Sequence, residues 1–333
     1  MKIGLLHNSI LPPKTYGGIE RIVMALAKEF RSRGHQVVLF CRKESQTQKD
    51  YETVFLPEGF EGESLDRRIP SDLDFLHSHQ PLKIPPPKPF LVTIHGNGHS
   101  GENYWPNTNF LSQSHARNHN AKYYIYNGVD PSHYPYEPAK EDYYVFLAKT
   151  TWRVKNLRTA IAWAQDLGVR LEIMGGEGWS RGRIHFNGRI DESTKLRLLS
   201  KAKALIYPTN WDEPCAAAPL EALACGTPVI SSVNGCMPEL VRPGTGVVCG
   251  NYAELLGAPA QLKLIKPEDC RKSVESFFSL SRMADDYLKL FDRILSQGDL
   301  DHQPRYNFDS KSVKLLYKPT LWNRARVELT GKI

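Results

Sequence analysis

The amino-acid sequence predicts an α/β protein of two domains, each built on a doubly wound parallel sheet. Apolar runs at residues 2–6 and 36–41 have the length of buried strands. Residues 19–33 between them have the period of an amphipathic helix, which Gly34 ends. A strand–helix–strand unit pairs its strands in parallel, and 333 residues are enough for two domains. The apolar face of the helix comprises Ile22, Val23, Leu26, Ala27 and Phe30.

Composition and charge narrow the functional classes. The chain is 41% hydrophobic and is therefore expected to fold, but it contains no apolar run of transmembrane length. Its N-terminal apolar run is too short for a signal peptide, so we expect a cytoplasmic protein. A net charge of +7 suits nucleic acid, an anionic membrane or a phosphate-rich substrate. No nucleic-acid-binding motif is present, and we expect no nucleic-acid partner.

The sequence offers little to a metal ion. The six cysteines are widely spaced, with no Cys-x-x-Cys pair, and are expected to be reduced thiols. His77, His79 and His95 lie near the ends of two predicted strands, at residues 73–79 and 90–96, where open α/β sheets bind ligands. Their spacing resembles no zinc motif. Such a histidine is most often structural, and we expect no metal.

Local composition also suggests the domain boundaries. We expect a first domain over residues 1–135, with a proline-containing linker ending near 141, and a second domain over 141–297. Residues 298–333 are a basic tail, which either is disordered or crosses back to the first domain. The apolar tail residues that could dock there are Leu315, Leu316, Tyr317, Leu321 and Trp322.

Basic residues follow the first strand of the second domain. Lys149, Arg153 and Lys155 lie between that strand, at 143–148, and a predicted helix from residue 158. Cations in a strand-to-helix loop can neutralise a diphosphate leaving group. The alternative is a solvated basic loop.

The stretch from Tyr207 to Ile230 reads as strand end, loop, helix, turn and strand. Pro219 suits the first helical position and Ala218 the cap, which leaves the amides near the helix start free for an anion. Two carboxylates, Glu213 and Glu221, frame that helix end. The alternative is an alanine-rich core helix whose glutamate complements the dipole.

This stretch resembles the retaining GT-B-fold glycosyltransferases of family 4, whose signature is Glu, seven residues, Glu, then Ala-x-Ala-x-Gly-x-Pro-Val. Here it runs from Glu213 to Glu221-Ala-Leu-Ala-Cys-Gly-Thr-Pro-Val229. The resemblance implies two Rossmann-like domains that face each other across a cleft. It implies a nucleoside-diphosphate sugar as donor, with UDP as the first guess, and neither cofactor nor metal. Glu221 would hold the ribose hydroxyls and Glu213 the donor sugar.

Other positions match the family as well, and the resemblance assigns them roles. The catalytic candidates are Glu213, His95 in a Thr-x-His-Gly match, and Lys155. Gly17 and Gly18 would let backbone approach the donor phosphate, although a glycine pair there is most often turn chemistry. Lys149 stands where the family usually has an arginine. Arg153 could supply the bidentate hydrogen bonds that a lysine cannot make. The remaining donor-site candidates are Gly188, Arg189 and Ile190 beside the base, and Pro214, Cys215, Ala216 and Ala217 at the helix start.

The resemblance predicts retaining, metal-independent transfer of a sugar to a hydroxyl, in the synthesis of a cell-surface glycan or glycolipid. Two alternatives remain: another GT-B enzyme, such as a sugar-nucleotide epimerase or a phosphorylase, or a non-catalytic sugar-nucleotide-binding protein. The acceptor would be a glycan or a lipid-linked acceptor. Basic residues of the first domain would favour peripheral contact with the anionic inner membrane face, or they are simply solvated. They are Arg21, Lys28, Arg31, Arg33, Arg42 and Lys43.

Overall fold

The computed structural model describes residues 1–13, 17–99, 101–308 and 312–317. The chain divides into two compact units. The first unit comprises Met1–Gly128 and Phe278–Phe308, and the second comprises Val129–Phe277 together with residues 312–317. No helix in these described ranges is long and apolar enough to cross a membrane.

The first unit is built on a six-stranded parallel sheet with the order β3-β2-β1-β4-β5-β6. The near-continuous apolar character of its central strands fits a sheet that is covered on both faces. The strands are β1 (Lys2–Leu6), β2 (Gln36–Cys41), β3 (Glu52–Phe55), β4 (Phe75–Ser78), β5 (Phe90–Thr93) and β6 (Thr108–Asn109).

The first long helix of the first unit follows the sequence pattern. Helix α1 (Gly18–Ser32) buries Val23, Leu26, Ala27 and Phe30, and Gly34 after it adopts the left-handed φ of +82°. That conformation costs glycine no steric penalty, so the predicted helix stop is found. Helix α2 is short and spans Gln113–Asn118.

The second unit repeats the arrangement with a parallel sheet of order β12-β11-β10-β7-β8-β9. Both sheets thus have the doubly wound order in which the direction of winding reverses at the middle. The predicted α/β class with two doubly wound sheets is confirmed. The strands are β7 (Glu141–Leu147), β8 (Leu171–Met174), β9 (Ile184–Phe186), β10 (Ala202–Tyr207), β11 (Val229–Ser232) and β12 (Gly246–Cys249).

Helices pack against the second sheet and bury its apolar side chains. Trp163 shows the packing: its ring meets Tyr144 edge-on at 4.9 Å, and its indole N–H donates to the carbonyl of Leu255 at 2.8 Å. A buried indole that finds such an acceptor avoids the desolvation cost of its N–H. The helices are α3 (Leu157–Leu167), α4 (Glu192–Lys201), α5 (Ala217–Ala224), α6 (Met237–Leu240), α7 (Tyr252–Gln261) and α8 (Pro267–Phe277).

Helix α9 (Leu280–Gln297) belongs to the first unit, although the sequence analysis assigned residues up to 297 to the second. Its apolar residues recur at helical spacing and form one buried face, and Phe291 stacks on Phe75 of β4 at 4.3 Å between ring centroids. An amphipathic pattern identifies the face that is buried but not the partner that covers it. The face comprises Met283, Tyr287, Leu290, Phe291 and Ile294.

The tail is divided between the two units. Residues 298–308 continue in the first unit, where Leu300 is buried. Residues 312–317 lie in the second unit, where Leu316 is buried. The expectation that Leu316 docks on the first domain is therefore corrected, because its backbone bonds to asparagines of the second unit. Leu321 and Trp322 lie outside the described residues.

Candidate active site

The carboxyl ends of β7 and β10 are the place where the second sheet reverses its winding. At such a point the loops leave toward opposite faces and open a crevice for a ligand. Lys149, Arg153 and Lys155 follow β7, and Glu213 follows β10. The sheet order thus gathers the predicted cations and the first predicted glutamate at one edge.

Lys155 and Glu213 form a buried ion pair at this edge. The Lys155 ammonium donates to the Glu213 carboxylate and to the hydroxyl of Tyr207, the latter at 3.0 Å. Tyr207 in turn donates to Glu213 at 3.0 Å, and the Thr209 hydroxyl lies 3.2 Å from the same carboxylate. Lys155 is 9% exposed and Glu213 3%. Charges so far from solvent are tolerable because each has the other and further hydrogen bonds.

Aromatic rings surround the Lys155 ammonium. It lies 4.6 Å from the ring centre of Trp211, 5.5 Å from that of Tyr207 and 5.8 Å from that of Trp152. Such rings attract a cation and limit its access to water. Sequence reasoning missed Trp211 and Tyr207, although both stand within six residues of Glu213 and could have been noticed on that ground.

The turn that carries these cations depends on one asparagine. Asn156 ends a 3-10 helix over Arg153–Lys155, begins α3 and adopts a left-handed φ of +60°. Asparagine tolerates this conformation better than most residues. Lys149 and Arg153 are exposed on the turn, whereas Lys155 points into the interior.

Helix α5 begins two residues earlier than predicted, at Ala217. Ala216 is the cap and makes no side-chain capping bond, Ala218 is the second helical residue, and Pro219 is the third. The proline signal is ambiguous because N–H groups throughout the first turn lack helical acceptors. Glu221 consequently stands in the second turn and not, as expected, in the first. The uncapped amides at this helix start still suit an anion.

Glu221 is held by a lysine that the sequence analysis did not single out. Lys195 of α4 places its ammonium 3.0 Å from Glu221 and 2.8 Å from Glu192. Burial by itself would lower the pKa of Lys195, but the charges and hydrogen bonds of these glutamates outweigh it, and the pKa is raised. The Tyr134 hydroxyl donates to the other Glu221 oxygen at 3.4 Å. The i, i+3 relation of Lys195 to Glu192 was visible in sequence, but its contact with Glu221 was not.

The candidates for base binding lie at the same sheet edge. Gly175 has φ +105°, and a Cβ there would come within 2.3 Å of the Ala148 carbonyl oxygen. The Gly175 N–H donates to the Gly188 carbonyl at 3.2 Å. Arg189 is exposed and Ile190 partly exposed beside Gly188.

The loop before α5 mixes buried and accessible positions. Pro214 and Ala216 are buried, whereas Cys215 and Ala217 are partly exposed. Of the four predicted helix-start residues, only Cys215 and Ala217 are therefore partly accessible.

In the first unit, His95 belongs to a cluster of neutral histidines at the carboxyl edge of the sheet. His79 Nδ1 and His95 Nε2 form a hydrogen bond of 2.9 Å. Burial lowers the pKa of His95 to about 3 and that of His79 well below its ordinary value. Neutral imidazoles pair with hydroxyls rather than act as cations for phosphate. Within the described ranges, no three His, Cys, Asp or Glu side chains are grouped to hold a metal ion.

The two glycines at the start of α1 differ in their surroundings. A Cβ on Gly17 would lie 2.6 Å from a carboxylate oxygen of Glu20, whereas a Cβ on Gly18 would meet nothing within 4 Å. The atoms nearest to Gly17 belong to the flexible Glu20 side chain, which can move aside, and Gly18 leaves open space beside the backbone.

Models of two protein families match the sequence. "Glycosyltransferase Family 4" matches residues 16–130, and "Glycosyl transferases group 1" matches residues 140–272. The two matches follow one another along the chain without overlap.

Solved glycosyltransferase structures share the fold. AviGT4, a glycosyltransferase involved in avilamycin A biosynthesis, is 23% identical, with a TM-score of 0.69 over 89% of this chain and 98% of AviGT4. Sucrose-phosphate synthase from Thermosynechococcus elongatus is 18% identical, with a TM-score of 0.67 over 89% and 99%. Anabaena Alr3699/HepE in complex with UDP and glucose is 15% identical, with a TM-score of 0.63 over 88% and 100%. At these identities the likeness establishes the GT-B fold.

Sequence relatives match shorter segments. YtcC of Bacillus subtilis (strain 168) is 25% identical over 150 residues, which are 41% of this chain and 37% of YtcC. Glycogen synthase of Mycobacterium tuberculosis (strain CDC 1551 / Oshkosh) is 42% identical over 65 residues, 19% of this chain and 16% of that protein. The match thus spans well under half the length of either relative.

Proposed function

Because the chain belongs to the GT-B glycosyltransferases of the group 1 and family 4 type, we propose that it transfers a sugar from a nucleoside-diphosphate sugar to a hydroxyl group. Retention of the anomeric configuration, and UDP as the nucleotide, are parts of this proposal. The UDP complex of the structurally similar HepE supports the choice of nucleotide.

One observation supports the proposal most strongly: the buried Lys155–Glu213 pair where the second sheet reverses its winding. A donor sugar brings both an anionic diphosphate and hydroxyl groups to such a site. The Lys155 ammonium can donate to a diphosphate oxygen, and the Glu213 carboxylate can accept from a sugar hydroxyl. The two residues of this ion pair can therefore bind the diphosphate and the sugar of the same donor molecule.

The chemical step needs a stabilised leaving group. As the glycosidic bond to the diphosphate breaks, negative charge grows on the bridging oxygen, and preorganised donors there lower the barrier. Lys155, the exposed Lys149 and Arg153, and the uncapped N-terminus of α5 are suitable donors. We propose that these groups neutralise the diphosphate without a metal.

Further residues of each unit are proposed to contact the donor. Glu221, oriented by Lys195 and Tyr134, would accept hydrogen bonds from the ribose hydroxyls. In the first unit, the neutral His95 would hydrogen-bond a hydroxyl of the substrate sugar. Gly188 to Ile190 and the backbone of Gly17 and Gly18 are proposed donor contacts on family resemblance.

Glu213→Gln tests the proposal. We expect transfer from UDP-sugar donors to fall about 100-fold or more, because the variant loses the charge that interacts with the sugar. UDP affinity should change little, because Glu213 is proposed to meet the sugar and not the nucleotide. Glu177→Gln, which removes an exposed glutamate on a neighbouring loop, is the matched control. An equal loss of UDP binding and transfer in Glu213→Gln would contradict the assigned role.

Product analysis separates the alternatives. An epimerase acts on the nucleotide sugar without an acceptor, whereas a phosphorylase requires phosphate. A non-catalytic binding protein would bind UDP and give no product. Transfer that requires a hydroxyl acceptor, with retained configuration, is the expected outcome.

A lipid-linked acceptor at an anionic membrane remains our proposal for the acceptor class. Part of the predicted basic surface is engaged within the first unit. Arg33 pairs with Glu29 and Asp285, and Arg31 donates to the Asp50 carbonyl. Lys28 and Lys43 are exposed cations that could face a membrane.

Vesicle sedimentation tests the membrane proposal. Each lysine near the surface would contribute about 1 kcal/mol to membrane binding. Charge reversal of Lys28 and Lys43 should therefore abolish low-salt binding to anionic vesicles without changing UDP affinity. Failure of the wild type to sediment with anionic vesicles would point to a soluble acceptor.

A further inference from the structure

Residues 314–316 of the tail run along the second unit like an added strand whose partners are side chains. The Lys314 N–H donates to Asn234 Oδ1 at 2.8 Å, and the Lys314 carbonyl accepts from Asn234 Nδ2 at 2.8 Å. The Leu316 N–H donates to Asn210 Oδ1 at 2.8 Å. Its carbonyl accepts from Asn156 at 2.6 Å and from Thr159 at 2.8 Å.

The side chains of this segment show where its packing matters. Leu316 is 0% exposed, whereas its neighbour Leu315 is 37% exposed. The Lys314 side chain is exposed, and the hydrogen bonds of this residue to Asn234 use its backbone. One buried leucine and a row of backbone bonds therefore anchor the segment.

Each of the three asparagines is also tied to the candidate active site. Asn156 follows Lys155 directly, and its Nδ2 donates to the Pro208 carbonyl at 2.9 Å as well as to the tail. Asn234 Nδ2 donates to the Thr209 carbonyl at 2.9 Å. The Asn210 N–H donates to the Val154 carbonyl at 2.8 Å.

The tail bonds thus close a network around the Lys155–Glu213 pair. The network joins the turn after β7 to the loop after β10 and the loop after β11. The last of these also holds the Glu213 carbonyl, which accepts from the Cys236 N–H at 2.9 Å. Buried amides with part of their bonds removed are costly, so loss of the tail would leave Asn156, Asn210 and Asn234 to rearrange. Small displacements of such loops strongly affect binding and rate.

We propose that residues 312–317 are a positioning segment of the donor site: they fix the loops that present Lys155 and Glu213 to the donor. The proposal rests on the proposed donor function of these two residues. It gives a role to a segment beyond residue 272, where the second family match ends.

Leu316→Asp, which places a charge in the buried position, tests the proposal. Leu315→Asp adds the same charge at the exposed neighbour and is the matched control, and Leu316→Met keeps the apolar volume. A second pair avoids a buried charge: Lys314→Pro removes the N–H that Asn234 accepts, whereas Lys314→Ala keeps it. Binding of UDP and of uridine is measured for each variant by titration calorimetry, well below its thermal unfolding temperature.

We expect Leu316→Asp and Lys314→Pro to weaken UDP binding about tenfold or more through misplacement of Lys155. Uridine binding should be little changed, and the three other variants should match the wild type. In a Lys155→Ala background, Leu316→Asp should cost no further UDP affinity, because coupled sites are not additive.

Two results would overturn the inference. The first is wild-type UDP affinity in both Leu316→Asp and Lys314→Pro. The second is that Leu316→Asp lowers UDP affinity as much in the Lys155→Ala background as it does in the wild type. The second result would indicate a general structural role. If the wild type bound no nucleoside diphosphate at all, the proposed function would fail instead.

Discussion

The buried pair of Lys195 and Glu221 allows a quantitative prediction. Lys195→Met keeps the length and apolar stem of the side chain and removes its charge. Loss of one partner of a buried ion pair costs about 3–5 kcal/mol, because the remaining charge stays desolvated. Glu221 keeps its bond from Tyr134, so we expect the lower part of this range. Each kcal/mol lowers the unfolding temperature by about 2–4 °C in a domain of this size, so a loss of about 3–4 kcal/mol lowers it by roughly 6–16 °C.

Lys201→Met is the matched control on the same helix. Lys201 pairs with Glu141 at 3.1 Å, but both side chains are largely solvated, at 43% and 55% exposure. Exposed pairs contribute about 0–1 kcal/mol, so this variant should unfold near the wild-type temperature. The contrast between the two lysines isolates the effect of burial from that of the substitution.

A double variant separates stability from function. Lys195→Met combined with Glu221→Gln leaves no buried charge at the pair, so most of the lost stability should return. Thermal and urea unfolding should give an interaction energy of about 2–3 kcal/mol between the two changes. UDP binding should not recover, because the proposed ribose acceptor has lost its charge. Equal unfolding temperatures for Lys195→Met and Lys201→Met would refute the reasoning.

Three further outcomes are expected. Lys155→Ala should weaken UDP binding by about 1.5–3 kcal/mol, roughly 10- to 150-fold, and leave uridine binding nearly unchanged. Titration calorimetry measures both affinities, and equal losses for the two ligands would argue against a diphosphate contact. EDTA should leave transfer intact if Lys149, Lys155 and the α5 N-terminus neutralise the leaving group, and EDTA-sensitive turnover would contradict metal independence. Acid should destabilise the first unit, because burial holds the pKa values of His77 and His79 well below 6.5. Below pH 6.5 the unfolded chain binds protons that the folded chain does not. The free energy of unfolding should therefore decrease as the pH is lowered, by up to about 1.4 kcal/mol per pH unit for each histidine. Urea unfolding between pH 7.5 and 5 measures this slope, and a flat profile would contradict it.

Sequence by itself determined the features that depend on local pattern. The apolar runs of β1 and β2 and the amphipathic face of α1 specify a parallel α/β unit, because period and length distinguish strands from helices. The apolar face of α9 is likewise visible in the helical spacing of its residues. The spacing from Glu213 to Glu221 directed attention to the loop and helix that form the candidate site. These features need only neighbours along the chain.

The start of α5 shows where local signals become ambiguous. Proline is accepted throughout the first helical turn, since none of those N–H groups has a helical acceptor. The sequence therefore could not distinguish Pro219 as first residue from Pro219 as third. In the structure the helix begins at Ala217, which places Glu221 in the second turn.

Only the tertiary structure decided which distant residues meet. Lys195 reaches Glu221 across 26 positions, and Leu316 reaches Asn156 across 160. The spacing of apolar residues along the chain indicates which side chains are buried. The residues that pack against them are determined by the order of the strands and the packing of the helices. Strand order brought Lys155 beside Glu213, and the same long-range packing placed α9 in the first unit. Such contacts are set by the free energy of the whole fold, because each is stable only when the elements on both sides are already in place.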